Sequence, residues 1–131
     1  MNVLKRRDFA RWQRRHHLDD AALCQAIGEM ERGLVDADLG GALYKKRIAR
    51  EGGGKRGGYR TLLAAQMGSR YVFLHGFLKS DVPNVTSSEK RALQCLGYTV
   101  LSMSTKAVAQ ALKEGSLLEV GCDKQDHRIR T

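Results

Sequence analysis

Hydrophobic and polar positions change their period several times along the chain. From Arg6 to Arg15, Phe9 and Trp12 stand three apart among arginines, which predicts a short amphipathic helix with Trp12 as a core anchor. After a turn at Leu18, Asp19 or Asp20 can cap a second helix. Leu23, Ala26, Ile27, Met30 and Leu34 recur there at helical spacing, and Gly33 can end it. From Leu43 to Ala49 the period drops to two: Tyr44, Lys46 and Ile48 fall on one face of a strand, Lys45, Arg47 and Ala49 on the other. Tyr59 to Ala65 reads as a second strand and Tyr71 to Leu78, apolar on both faces, as a third, with a hairpin turn over Gln66 to Ser69.

Helical spacing then returns. Thr86 to Glu89 spells a capping box ahead of Ala92, Leu93 and Leu96. A last helix with Val108, Ala111 and Leu112 runs to Glu114 and stops at Gly115, and Leu117 to Val120 can add an edge strand. Consecutive strands with short connections imply an antiparallel meander. The expected class is therefore α+β: two N-terminal helices packed on a mostly antiparallel sheet, with C-terminal helices. One domain over residues 1–120 is expected, and residues 121–131, which lack periodicity, read as a mobile tail.

Composition changes this picture mainly through its sign. Lys and Arg number 23 against 14 Asp and Glu, a net charge of +9, which favours an anionic partner, nucleic acid above all. Cys24, Cys95 and Cys122 are odd in number and form no CxxC pair, so they read as reduced thiols and not as a zinc site or disulfide framework. No leader-like or membrane-length apolar run occurs, so a cytoplasmic protein is expected.

The basic charge concentrates in YKKRIAREGGGKRGGYRT, Tyr44 to Thr61, with seven Lys or Arg, one Glu and five Gly. It is no phosphate-binding P-loop. Ala49 stands where that pattern needs its first Gly, Arg56 follows Lys55 where Ser or Thr is required, and a strand follows instead of a helix. An extended hairpin loop remains. Strand alternation puts Lys45, Arg47 and, from the paired strand, Arg60 on one side of a sheet, with Lys79 able to join them. Like charges so placed cost folding energy unless an anion lies among them. His75 is the remaining candidate acid or base, but mid-strand in an apolar run it reads rather as a packed or hydrogen-bonded core histidine, and His16 and His17 as surface residues. No metal site and no cofactor are indicated.

The segments YKKRIA, GKRGGYRT, FLHGFLK and SSEKRAL, in this order, resemble the RelE/HigB superfamily of bacterial type II toxins, and more narrowly its HigB-type branch. The resemblance runs from Phe9 to Val120, with FARW, EMERGLVDADLGG and LLEV in support. It implies a ribosome-dependent endoribonuclease that cuts messenger RNA in the decoding site, with a helix-turn-helix antitoxin as partner. Such enzymes line their site with Lys and Arg. By motif, Arg60, Arg47, Lys45 and Lys79 are the catalytic candidates, whereas Lys46, Lys55, Arg56 and Tyr59 are candidates for gripping flanking RNA or ribosomal RNA. Two alternatives share much of the pattern: a ParE-like toxin of the same fold that poisons DNA gyrase, and a non-catalytic RNA-binding module.

Overall fold

Alternation along residues 43–78 can bury an apolar face on each side only if the strands are covered above and below, and the computed structural model has that arrangement. It describes residues 1–50, 54–78 and 85–122, without the side chains at 50 and 54–57. In chain order the elements are β1 (Asn2–Arg6), α1 (Arg7–Arg15), α2 (Asp20–Glu31), β2 (Ala37–Gly40), β3 (Leu43–Arg50), β4 (Gly54–Gln66), β5 (Arg70–Leu78), α3 (Ser87–Leu101), α4 (Thr105–Glu114) and β6 (Leu117–Glu119). The sheet order is β2-β3-β4-β5-β1-β6. The expected three-stranded meander is β3 to β5, β2 extends it by a strand at residues 37–40 that the sequence reading did not contain, and β6 is the expected edge strand, here antiparallel to β1.

The strand at residues 2–6 is an addition to the sequence reading. β1 runs parallel to β5, pairing Val3 with Tyr71 and Leu4 with Val72, and places a strand between the meander and β6. Each face of the sheet then carries its own core. Phe9 and Trp12 of α1 and Leu23, Ile27 and Met30 of α2 pack on Ile48, Tyr59, Leu63, Tyr71 and Phe73. On the other face, Val100 of α3 and Val108 and Ala111 of α4 pack on Leu43, Leu62, Ala64, Val72, Leu74 and Phe77.

Local chemistry fixes the helix ends as expected. Asp19 accepts from the Ala22 N–H; Ser104, a cap that the sequence reading did not name, accepts from that of Ala107. Thr86 and Glu89 form the reciprocal box, with Thr86 Oγ1 accepting from Glu89 N and Glu89 accepting from Thr86 N. Gly115 ends α4 at φ 83°, a left-handed conformation that favours glycine. At Gly76 the requirement is space. A Cβ there would stand 2.4 Å from a ring carbon of Trp12, so α1 can lie this close to β5 only over a glycine.

One expectation is overturned. Cys24 and Cys122 are not reduced thiols; they form a disulfide that ties α2 to the chain just after β6. Their separation of 98 residues carries no spacing signal, and only the folded topology brings their Cα atoms to 5.4 Å. Cys95 is free and exposed. Of the expected tail, Gly121 and Cys122 are described and Cys122 is bonded, while 123–131 lie outside the described residues. No described helix is long and apolar enough to cross a membrane.

Candidate active site

Two rungs of the sheet define the site. In one, Arg47 stands opposite Arg60 and Arg60 opposite Phe77; in the next, Lys45 stands opposite Leu62 and Leu62 opposite His75. Residues directly opposite one another, or two apart along a strand, share a face. Leu62 and Phe77 belong to the core beneath α3 and α4, so all six side chains lie on that face. The intervening rung, Lys46, Thr61 and Gly76, points to α1 and α2.

Within this patch the cations differ in their surroundings. Arg47 is held from the side by Asp36: its backbone N–H donates to Oδ2 at 2.6 Å, and its Nε lies 3.6 Å from Oδ1. Arg60 is only 8% exposed, and its Nη1 is buried with no hydrogen-bond partner among the described residues. Burying a guanidinium N–H without an acceptor is costly, and setting a second guanidinium directly across the ladder adds repulsion. An anionic oxygen between the two strands would relieve both.

The rim is formed by His75 and the start of α3. His75 is exposed, its ring 5.8 Å from that of Phe77. This corrects the reading of His75 as a packed core residue. A bulge in the β4–β5 register skips Leu74, so that Leu74 faces the core while His75 stays level with Leu62 on the open part of the sheet. Glu89, in the first turn of α3, lies within electrostatic reach of His75. Its carboxyl is held below the usual carboxylate range, chiefly by the Thr86 backbone hydrogen bond, then by the Thr86 hydroxyl, with a smaller contribution from His75.

The predicted residues are therefore only partly brought together. Lys45, Arg47 and Arg60 converge as expected. Lys46 and Tyr59 do not join them. Lys46 is buried in an ion pair with Glu29 of α2 at 2.7 Å, and Tyr59 packs edge-on to Trp12 while its hydroxyl donates to the His16 carbonyl. Both belong to the opposite side of the sheet. Lys55 and Arg56 begin β4, but their side chains, and Lys79 as a whole, lie outside the described residues. His75 is the residue that the sequence reading weighed as an acid or base and set aside in favour of a core role. The available signal was its even spacing from Phe77 and the polar character it brings to an apolar run.

Among the described residues no group of three or more His, Cys, Asp or Glu side chains is placed to hold a metal ion. What the patch can do is bind and polarise an anion: two opposed guanidinium groups, a lysine on one flank and an imidazole on the other.

A search of curated proteins found no match to the chain. Residues 1–120 match the family described as the RelE toxin of the RelE / RelB toxin-antitoxin system. With an α+β domain of four helices and a six-stranded, mostly antiparallel sheet among its described residues, and with all but the residues after 120 covered by that match, the chain belongs to the RelE toxin family.

Proposed function

We propose that the protein is a ribosome-dependent endoribonuclease that cuts messenger RNA in the decoding site, within the HigB-type branch suggested by YKKRIA and GKRGGYRT. The observation that carries this reading is the buried Nη1 of Arg60, without a hydrogen-bond partner among the described residues and set opposite Arg47. Cleavage proceeds by attack of the ribose 2′-oxygen on the adjacent phosphorus and departure of the 5′-oxygen. Negative charge grows on the phosphoryl oxygens on the way. Arg60 and Arg47 stand opposite one another across the ladder, and two guanidinium groups on one side of a phosphate would stabilise that developing charge. Lys45, on the neighbouring rung, has an ammonium able to protonate the departing 5′-oxygen. Lys79 remains the alternative catalytic lysine, and Lys55 and Arg56 remain candidates for gripping flanking phosphates or ribosomal RNA.

The net charge of +9 suits an RNA target and an acidic partner. That partner is an antitoxin, in this branch a helix-turn-helix protein, and the site of action is the cytoplasm, where ribosomes are. The deciding experiment is primer extension on a defined messenger after incubation of programmed ribosomes with wild type or Arg60→Ala. Loss of one donor to a developing anion lowers the rate by about 10²–10³-fold. Arg60→Ala that cuts as fast as wild type would overturn the assignment. Intact messenger together with arrested DNA supercoiling would favour the gyrase-poisoning reading instead.

A further inference from the structure

Proton removal is the step that the cationic patch leaves without an agent. Both guanidinium groups stay protonated at any accessible pH and can only stabilise charge. A lysine ammonium can give a proton, but something else must take one from the 2′-hydroxyl. The geometry points to His75.

We propose that His75 is the general base of this site. The role rests on the endoribonuclease reading above and adds to it the residue that starts the reaction. His75 shares the Lys45–Leu62–His75 rung and stands diagonally from Arg60, whose direct partner is Phe77. Diagonal neighbours in an antiparallel pair are about 7–8 Å apart, so a phosphate bound at Arg60 places its ribose within reach of the imidazole. Lys45 and His75 flank the central strand on opposite sides, about 9–10 Å apart through two strand spacings. In-line displacement needs this arrangement, because the entering 2′-oxygen and the leaving 5′-oxygen lie on opposite sides of phosphorus.

The balance closes with these residues. The 2′-hydroxyl proton passes to a ring nitrogen of His75 and the 2′-oxygen forms a bond to phosphorus. The P–O5′ bond breaks, and the 5′-oxygen takes a proton from Lys45. The products are a 2′,3′-cyclic phosphate and a 5′-hydroxyl, and solvent returns both side chains to their starting states. The charged groups around the imidazole fit this order. Arg60 on β4 and, beyond it, Lys45 and Arg47 on β3 are the cations near it, and Glu89 on α3 offers a carboxylate to the imidazolium formed when the proton arrives. On β5 the other charged residue is Arg70, whose Nη1 donates to the carbonyls of Val100 and Met103 at the far end of α3. Histidine is the side chain best suited to such an exchange near neutral pH.

The test is single-turnover cleavage of messenger on programmed ribosomes across pH 5.5–9 with the full chain. Wild type should gain rate with rising pH along a limb that belongs to the neutral imidazole. His75→Gln keeps the polarity and roughly the size of an exposed side chain. It should fold as wild type does by circular dichroism, cut about 10²–10⁴-fold more slowly, and lose that limb. In His75→Ala, added imidazole should restore part of the rate, which a merely structural role would not allow. Cleavage by His75→Gln at the wild-type rate, or with the limb intact, overturns the role of His75 alone. A wild type that cuts no messenger on ribosomes overturns the endoribonuclease reading, and this role with it.

Discussion

Replacing Lys46 by methionine separates two accounts of the same residue. The motif made Lys46 a candidate for gripping RNA, whereas the fold puts its ammonium 2.7 Å from Glu29, with side chains 4% and 13% exposed. Lys46→Met keeps most of the packed stem and removes the charge, leaving the Glu29 carboxylate in a buried position. Breaking such a pair from one side costs about 3–5 kcal/mol. For 131 residues the unfolding entropy is about 0.28 kcal/mol/K, so the melting temperature should fall by about 11–18 °C. Glu29 makes a further interaction, which moves the expectation to the lower end of that range. The double variant Lys46→Met/Glu29→Met removes both charges and should recover most of the loss, since an apolar pair of similar volume replaces a buried ion pair at little cost. Thermal melts followed by circular dichroism give all three numbers, and messenger cleavage, measured well below every melting point, should be unchanged in the double variant. A melting temperature within about 2 °C of wild type, combined with lost cleavage, would refute the reasoning and return Lys46 to the RNA.

Two further outcomes follow from the disulfide and the capping box. Closing a loop of 98 residues limits the unfolded chain by about 4–5 kcal/mol in the entropic account. Wild type should therefore melt well above Cys24→Ser under oxidising conditions and coincide with it in reductant; identical wild-type melts in both buffers would show that the cross-link contributes nothing. Glu89 has a folded pKa below the ordinary 4.5, so the stabilisation due to its charge is complete above about pH 4.5 and disappears as pH falls through the folded value. The difference in melting temperature between wild type and Glu89→Gln should be level from pH 7 to 5 and shrink toward pH 3; a difference that grows on acidification would contradict the sign.

Much of the fold was legible because short-range rules and tertiary packing agree there. Alternation located β3, β4 and β5, and Thr86, Glu89 and Gly115 marked helix ends through backbone chemistry that acts within a few residues. β1 and β2 were not legible: Asn-Val-Leu-Lys-Arg and Ala-Asp-Leu-Gly are too short for a period, and the partner of β1, β5, lies 68 positions away, Val3 pairing with Tyr71. The disulfide escaped for the same reason of distance. In the site, the grouping of Lys45, Arg47 and Arg60 followed from parity alone. Parity also held the answer for Lys46 and Tyr59. Lys46 shares its face with Tyr44 and Ile48, and Tyr59 is one residue out of step with Arg60, so both had to lie beneath the sheet. Motif likeness weighed more than this geometric signal. His75 needed the bulge beside Leu74, and an apolar run gives no sign of one.

Gly76 and Trp12 give the molecule an intrinsic optical reporter. The indole rests against the underside of β5 midway between His75 and Phe77, and it is the chain's single tryptophan. Emission from the protein therefore comes from a chromophore one backbone thickness away from the cationic patch, on its dry side. Occupancy of that patch can be followed by ultraviolet fluorescence without attaching a dye, and the signal reports on the strand that carries the imidazole.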